Sequence, residues 1–359
     1  MRPSWVEIDL GAIAHNVAAL RDLVTPAAVC AVVKADGYGH GDVPVAEAAL
    51  AAGAEWLAVA LLEEGIRLRE AGIEAPVLVL SEPDPSDAVE LLHWGLTPTV
   101  YREEMIDALG EAATVMSGVH LKINTGMHRV GAKPEDVGDL LARIDRYPLL
   151  ALAGVFTHFA SSDEDDGFTR EQVERFDRAT RGIEGPLVHM ANTAGAILHP
   201  SSRRDLVRLG IGIYGLHPCD DTRPYVGLRP AMRIVSHVAF VQRLAAGERP
   251  SYGRRRELAT DAYVATVPLG YADGVPRLLT DKLEVLIRGK RRPLAGTVTM
   301  DQIIVDVGDE EVNAGEEVIL LGPQGDEEVT ADEWSSNLGT ISYEVVCQIG
   351  PRLPRRYES

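Results

Sequence analysis

Cysteine is scarce in this chain of 359 residues: Cys30, Cys219 and Cys347 stand far apart. An odd, sparse set with no C-x-x-C pair supplies neither a disulfide framework nor a zinc knuckle. Positive charge is also short, at 35 Lys+Arg against 54 Asp+Glu, and 35 − 54 leaves a formal charge of −19. Such a surface repels polyanions, which argues against nucleic acid or an anionic membrane as a partner. A small anion is not excluded, because a few arginines and backbone donors can hold one locally. No stretch approaches the ~18 uncharged apolar residues that a membrane span needs. The opening Met1–Asp9 has no apolar run resembling a signal peptide. These absences point to a cytoplasmic enzyme or small-molecule binder. Hydrophobic residues make up 46% of the chain, enough for a substantial core. The length favours two domains, with one large α/β barrel as the alternative.

From about residue 28 to 215 one rhythm repeats: a short apolar run, a turn, then a longer amphipathic run. The apolar runs lie at 28–33, 56–60, 77–80, 96–100, 119–123, 152–156, 187–190 and 206–213. Most are apolar at successive positions, as strands buried on both faces are. Helical patterns fall between them at 43–52, 62–71, 134–146 and 169–181, with Pro134 in a first turn and Gly53 and Gly72 as stops. Eight strands alternating with helices predict a (β/α)8 barrel. A doubly wound sheet is the alternative, but no G-x-G-x-x-G follows the first strand. After Pro230 the pattern becomes mostly β, with runs at 235–244, 262–268, 283–288, 292–298, 302–307 and 317–321 and a helix at 331–338. A first strand at 5–10 could join either sheet, and a helix at 12–23 follows it. The acidic run 163–166 reads as a solvated loop rather than a metal site.

The segment Lys34-Ala-Asp-Gly-Tyr38-Gly-His-Gly41 carries the chemistry. A lysine directly after a buried strand sits where a barrel builds its active site. Desolvation there disfavours the ammonium form, which suits imine formation with an aldehyde. Glycines at 37, 39 and 41 let the backbone bend closely around a ligand, and Tyr38 can turn its hydroxyl toward it. A lone strand-end lysine is more often a surface cap, and that reading stands until the neighbouring residues are weighed.

With those neighbours the segment resembles the pyridoxal-phosphate lysine motif of the alanine racemases. The resemblance continues in order along the chain: Trp5–Asn16, the Asn124-Thr-Gly-Met-His-Arg-Val-Gly131 loop, Thr157-His158, His189-Met-Ala-Asn192-Thr193, Arg208-Leu-Gly-Ile-Gly-Ile-Tyr-Gly215, Gly270-Tyr271-Ala-Asp-Gly274, Met300-Asp301-Gln and Ile341-Ser-Tyr343-Glu344. It implies a pyridoxal-phosphate barrel over 1–230 and a mostly β domain over 231–359. The strand near 3–10 pairs with one or the other. The second domain would complete the active site of a partner subunit in a homodimer.

Roles follow from the resemblance. Lys34 would carry the cofactor as a Schiff base and act as base on one face of alanine. Tyr271 of the partner would act on the other, since racemisation needs proton transfer on both faces. Arg208 would face the pyridine nitrogen; being always protonated, it disfavours a proton on that nitrogen. Tyr38, Thr193 and Tyr343 hydroxyls and backbone N–H groups at Gly210 and Ile211 would cradle the phosphate, with Asn192 and His158 beside the cofactor. Arg129 would meet the substrate carboxylate or the cofactor phenolic oxygen, and Met300 and Asp301 would bind substrate from the second subunit. Lys122 matches a position that is carbamylated in several family members. Thr193 stands where serine is common, and Thr299 where some relatives carry cysteine. A barrel-only cofactor-handling protein would lack Tyr271. A related decarboxylase would be expected to set an acid, not Arg208, against the pyridine nitrogen. A racemase of broader or serine specificity remains an alternative within the family, because one methylene changes binding by only ~1–3 kcal/mol.

Overall fold

Alternation marks the first strand, β1 (Trp5–Asp9): Val6 and Ile8 are fully buried between more open neighbours. That is the signature of a sheet with one face in a core. The next eight strands show no such alternation. They are β2 (Ala28–Val32), β3 (Trp56–Val59), β4 (Val77–Val79), β5 (Thr97–Val100), β6 (Ser117–Lys122), β7 (Leu150–Phe156), β8 (Leu187–His189) and β9 (Leu206–Leu209). All are parallel and they close into a barrel, with β9 returning to β2 in the register Ala28↔Leu206 and Ala31↔Leu209. The predicted barrel is therefore the observed one.

The computed structural model describes residues 2–358. They fall into two compact units, one over Gly11–Arg229 and one made from the stretch ending at Leu10 with the stretch from Pro230 onward. In the barrel unit the helices begin and end near the expected signals. Helix Asp42–Ala51 is followed by Gly53 at φ +102, and helix Leu62–Glu70 by Gly72 at φ +84. Pro134 opens a 3-10 turn that leads into helix Val137–Ile144. Two expectations shift. The run 206–213 ends as a strand at Leu209; Gly210 turns the chain and Ile211–Tyr214 is a 3-10 turn. The acidic run is not wholly loop: Asp165 caps helix Asp166–Ala179, its Oδ1 accepting the Phe168 N–H at 2.9 Å.

The C-terminal unit contains β10 (Met232–His237), β11 (Phe240–Leu244), β12 (Ala262–Val267), β13 (Glu284–Ile287), β14 (Lys290–Pro293), β15 (Ile303–Gly308), β16 (Glu317–Gln324), β17 (Glu327–Val329) and β18 (Arg355–Glu358). A seven-stranded sheet runs β14-β13-β16-β10-β1-β18 with β17 on β16, and β11-β12-β15 form a second sheet. The first strand thus belongs here: Val6 pairs antiparallel with Ile234 and parallel with Arg355. The single strand expected at 235–244 is two strands in different sheets. The chain changes partners between them, with Val238 N–H donating to Glu316 and Ala239 N–H to Thr266, both at 2.8 Å. The run 292–298 is a strand only to Pro293. Among the described residues no helix is long and apolar enough to cross a membrane, and no His, Cys, Asp and Glu cluster could hold a metal ion.

Candidate active site

Lys34 follows β2 at the end of the barrel where strands hand over to loops, half-buried. The residues after it take an uncommon path. Ala35, Asp36, Gly37 and Tyr38 all have left-handed backbones, with φ of 55, 53, 58 and 52. For the three that carry a Cβ this costs roughly 1–2 kcal/mol each. Such strain persists where surrounding structure over-determines it. Here Gly37 N–H donates to Val33 at 2.9 Å and Gly41 N–H to Asp36 at 2.8 Å. Buried Glu64 adds the clamp: its carboxylate accepts N–H bonds from Ala35 (2.6 Å), Ala60 (2.8 Å) and Leu61 (3.1 Å). The ends of β2 and β3 are therefore tied at the lysine by one side chain.

The turn brings Tyr38 back over the barrel end. Its ring stacks on Tyr214 at 4.8 Å, and Tyr214 Oη donates to the Val32 carbonyl at 2.9 Å. Thr193 opens helix Thr193–Leu198, and its Oγ1 accepts the Gly210 N–H at 3.1 Å. A Cβ on Gly210 would lie 2.6 Å from Tyr38 Oη, and one on Gly212 would lie 2.7 Å from Thr193 Cγ2. Only glycine permits this approach, so hydroxyls and backbone N–H groups from three loops share one small space. Such a donor set suits a phosphate. Asn192 caps the helix, its Oδ1 accepting from Gly195 N–H and Ser162 Oγ, both at 2.8 Å.

Arg208 lies on β9, buried. Its Nη1 donates to His189 Nδ1 at 2.7 Å; its Nη2 donates to the Thr157 and Met190 carbonyls at 2.7 and 3.1 Å and to His158 Nδ1 at 3.3 Å. No carboxylate pairs with it among the described residues, and burial lowers its pKa to about 10. Even so it stays protonated at neutral pH. Burial first, and then the Arg208 charge, push His158 and His189 well below the usual imidazole range.

Lys122 ends β6, buried, its Nζ 5.3 Å from the centre of the Phe156 ring. Burial, then Arg208, Arg129 and Lys34, lower its pKa to about 7. It lines one pocket with Arg129, Thr157 and His158. Four cations thus bear on one end of the barrel inside a chain of charge −19. That arrangement fits an anionic ligand and an anionic substrate group.

Tyr271, Met300, Asp301 and Tyr343 lie in the C-terminal unit. Tyr271 N–H donates to Thr299 at 2.9 Å and Ala272 N–H to Met300 at 3.1 Å. A Cβ on Gly270 would meet the Thr299 carbonyl at 2.1 Å, so glycine is required there. Laced in this way, Tyr271 and Met300 are both exposed, at 42% and 52%. Asp301 pairs with Arg352 at 2.7 Å; Asp273, fully buried behind them, meets Arg352 at 3.4 Å and Arg2 at 2.5 Å. Tyr343 is half-buried in helix Ser342–Cys347.

The sequence reading missed Glu64, His120 and the role of His189. His189 stood inside a recognised motif without a task. His120 and Glu64 carried no signal of their own, because each acts on residues distant in sequence.

Comparison with known proteins bears on the family and the fold. The alanine racemase N-terminal domain family matches residues 8–218 and the alanine racemase C-terminal domain family matches residues 231–357. An alanine racemase of Symbiobacterium thermophilum is 45% identical over 99% of this chain and 97% of its own length. The crystal structure of alanine racemase from E. faecalis superposes with a TM-score of 0.95 at 39% identity, covering 99% of this chain and 98% of that one. A histidine racemase from Leuconostoc mesenteroides subsp. sake has the same fold at TM-score 0.92 but only 27% identity, covering 100% of this chain and 98% of that one. With both domain families matched in order and relatives of this identity along its whole length, the chain belongs to the alanine racemase family.

Proposed function

We propose that this chain is a cytoplasmic pyridoxal-phosphate enzyme that interconverts L- and D-alanine and supplies D-alanine for peptidoglycan. The observation that carries the reading is Arg208, a buried guanidinium held by neutral acceptors at the cationic end of the barrel. An enzyme that needs a strongly electron-withdrawing cofactor would set a carboxylate there instead. The residues present fit the cofactor: Lys34 to bind it, Tyr38, Thr193 and the Gly210 and Ile211 backbone, with Tyr343, to hold its phosphate, and His158 and Arg208 along its ring. When bound, pyridoxal phosphate delocalises the negative charge left at the substrate Cα.

The protein's own task is position and proton management. Lys34 Nζ takes the α-proton on one face, and Tyr271 Oη from a second subunit delivers one on the other; in the reverse direction the two exchange roles. Arg129 holds the carboxylate, with Met300 and Asp301 closing the substrate site from the second subunit. Asn192 supports the cradle by capping the helix that carries Thr193. Lys122, with a pKa of about 7, is largely neutral just above neutrality and can add carbon dioxide, forming a carbamate and releasing a proton. The resulting anion would orient Arg129.

The test is turnover of L- and D-alanine by cofactor-loaded protein, with serine and histidine in parallel. Alanine is expected to be fastest. Cofactor-loaded protein that racemises serine or histidine faster, or no alanine at all, would overturn the assignment.

A further inference from the structure

The interior of the barrel holds a polar string beyond Arg208. His189 accepts from Arg208 at Nδ1, so its proton sits on Nε2, and that nitrogen lies 2.9 Å from His120 Nδ1. The polarity is set at one end. A guanidinium can only donate, so His189 donates onward and His120 Nδ1 must accept; the His120 proton is then on Nε2, which has no hydrogen-bond partner among the described residues. His120 is on β6 and His189 on β8, with β7 between them. The crossing is possible because the β7 residue paired with His120 is Gly154. A Cβ there would lie 2.5–2.7 Å from the His120 ring.

We propose that His120 is a positioning residue: by accepting from His189 it holds the His189 ring in the orientation and tautomer that Arg208 requires, and so keeps the guanidinium of Arg208 in place with neutral acceptors alone. The groups facing Arg208 are His189 on β8 and the Met190 carbonyl after it, the Thr157 carbonyl and His158 after β7, Cys30 on β2 and Lys122 on β6. None is a carboxylate. Burial and then Arg208 lower the pKa of His120 to about 3. The string is therefore neutral wherever the enzyme works and carries a direction rather than a charge. The consequence for catalysis rests on the racemase reading; the placement of the protons does not.

Neutron diffraction from crystals of the cofactor-loaded protein reads the placement directly. Deuterium on Nε2 of both His189 and His120, and on neither Nδ1, is expected. Deuterium on His189 Nδ1, or on both nitrogens of His120, would overturn the proposal whatever reaction the enzyme performs. Variants test the consequence. His120→Leu removes the acceptor, and Gly154→Ala displaces the ring without altering it. Each should lower kcat for alanine about tenfold while leaving KM within about twofold. His120→Asn, whose Oδ1 replaces the Nδ1 acceptor, should recover most of the loss. Equal losses in His120→Leu and His120→Asn, or no loss in either, would reduce His120 to a packing residue. If His120→Leu does not fold, Gly154→Ala and the neutron result still decide.

Discussion

A lysine buried among three other cations titrates where a surface lysine does not, and Lys122 makes this measurable. Its pKa is lowered from 10.5 to about 7, first by burial and then by Arg208, Arg129 and Lys34. Between those two pH values the unfolded chain binds a proton that the folded chain does not, so stability rises with pH across that window. Below pH 7 both states are protonated and the full cost of burying the cation is present. In carbon-dioxide-free buffer, the melting temperature of the wild type relative to Lys122→Met should climb from pH 7 to pH 9, the underlying difference being on the order of a few kcal/mol. A flat difference would mean that Lys122 is not the buried cation described here. Adding bicarbonate should stabilise only the wild type, with loss of carbon dioxide on acidification visible by mass spectrometry.

At the scale of elements, the left-handed turn after Lys34 depends on Glu64, 29 residues beyond Ala35. Glu64→Gln keeps the size but turns an amide donor toward N–H groups of Ala35, Ala60 or Leu61. Denaturant unfolding should show a loss of about 2 kcal/mol. Cofactor release should be faster, because the lysine loses its fixed backbone. The same turn shows what was legible. Glycines 37, 39 and 41 announced a sharp bend, and all three have positive φ. Ala35 and Asp36 did not, because alanine does not favour φ > 0 and aspartate does so only weakly; the clamp comes from the helix Leu62–Glu70. The barrel was legible because strands buried on both faces give continuous apolar runs. Where those runs end was less so, since an apolar 3-10 turn such as Ile211–Tyr214 has the same composition as a strand. β1 could not be placed from its own residues, because its partners Ile234 and Arg355 are more than 200 positions away. The His120–His189 string was invisible for a related reason: one polar residue in an apolar run does not say what it faces.

For the whole molecule, global charge and local site have opposite signs. The chain as a whole carries a formal charge of −19, while Lys34, Lys122, Arg129 and Arg208 gather at one barrel end. The proposed second base lies on the other unit: Tyr271, exposed and braced by its own N–H bond to Thr299 and by that of Ala272 to Met300. If each site takes Lys34 from one subunit and Tyr271 from its neighbour, two inactive variants can repair one another. Lys34→Ala should lose the visible absorption of bound cofactor and all turnover, and Tyr271→Phe should keep the cofactor but lose most racemisation. In a hybrid of the two, one site carries both substitutions and the other carries neither. Random exchange makes about half of the dimers hybrids, so activity should rise to about a quarter of the wild type. A mixture that gains nothing, although subunit exchange is confirmed by mass spectrometry of the intact dimers, would place both bases on the same chain.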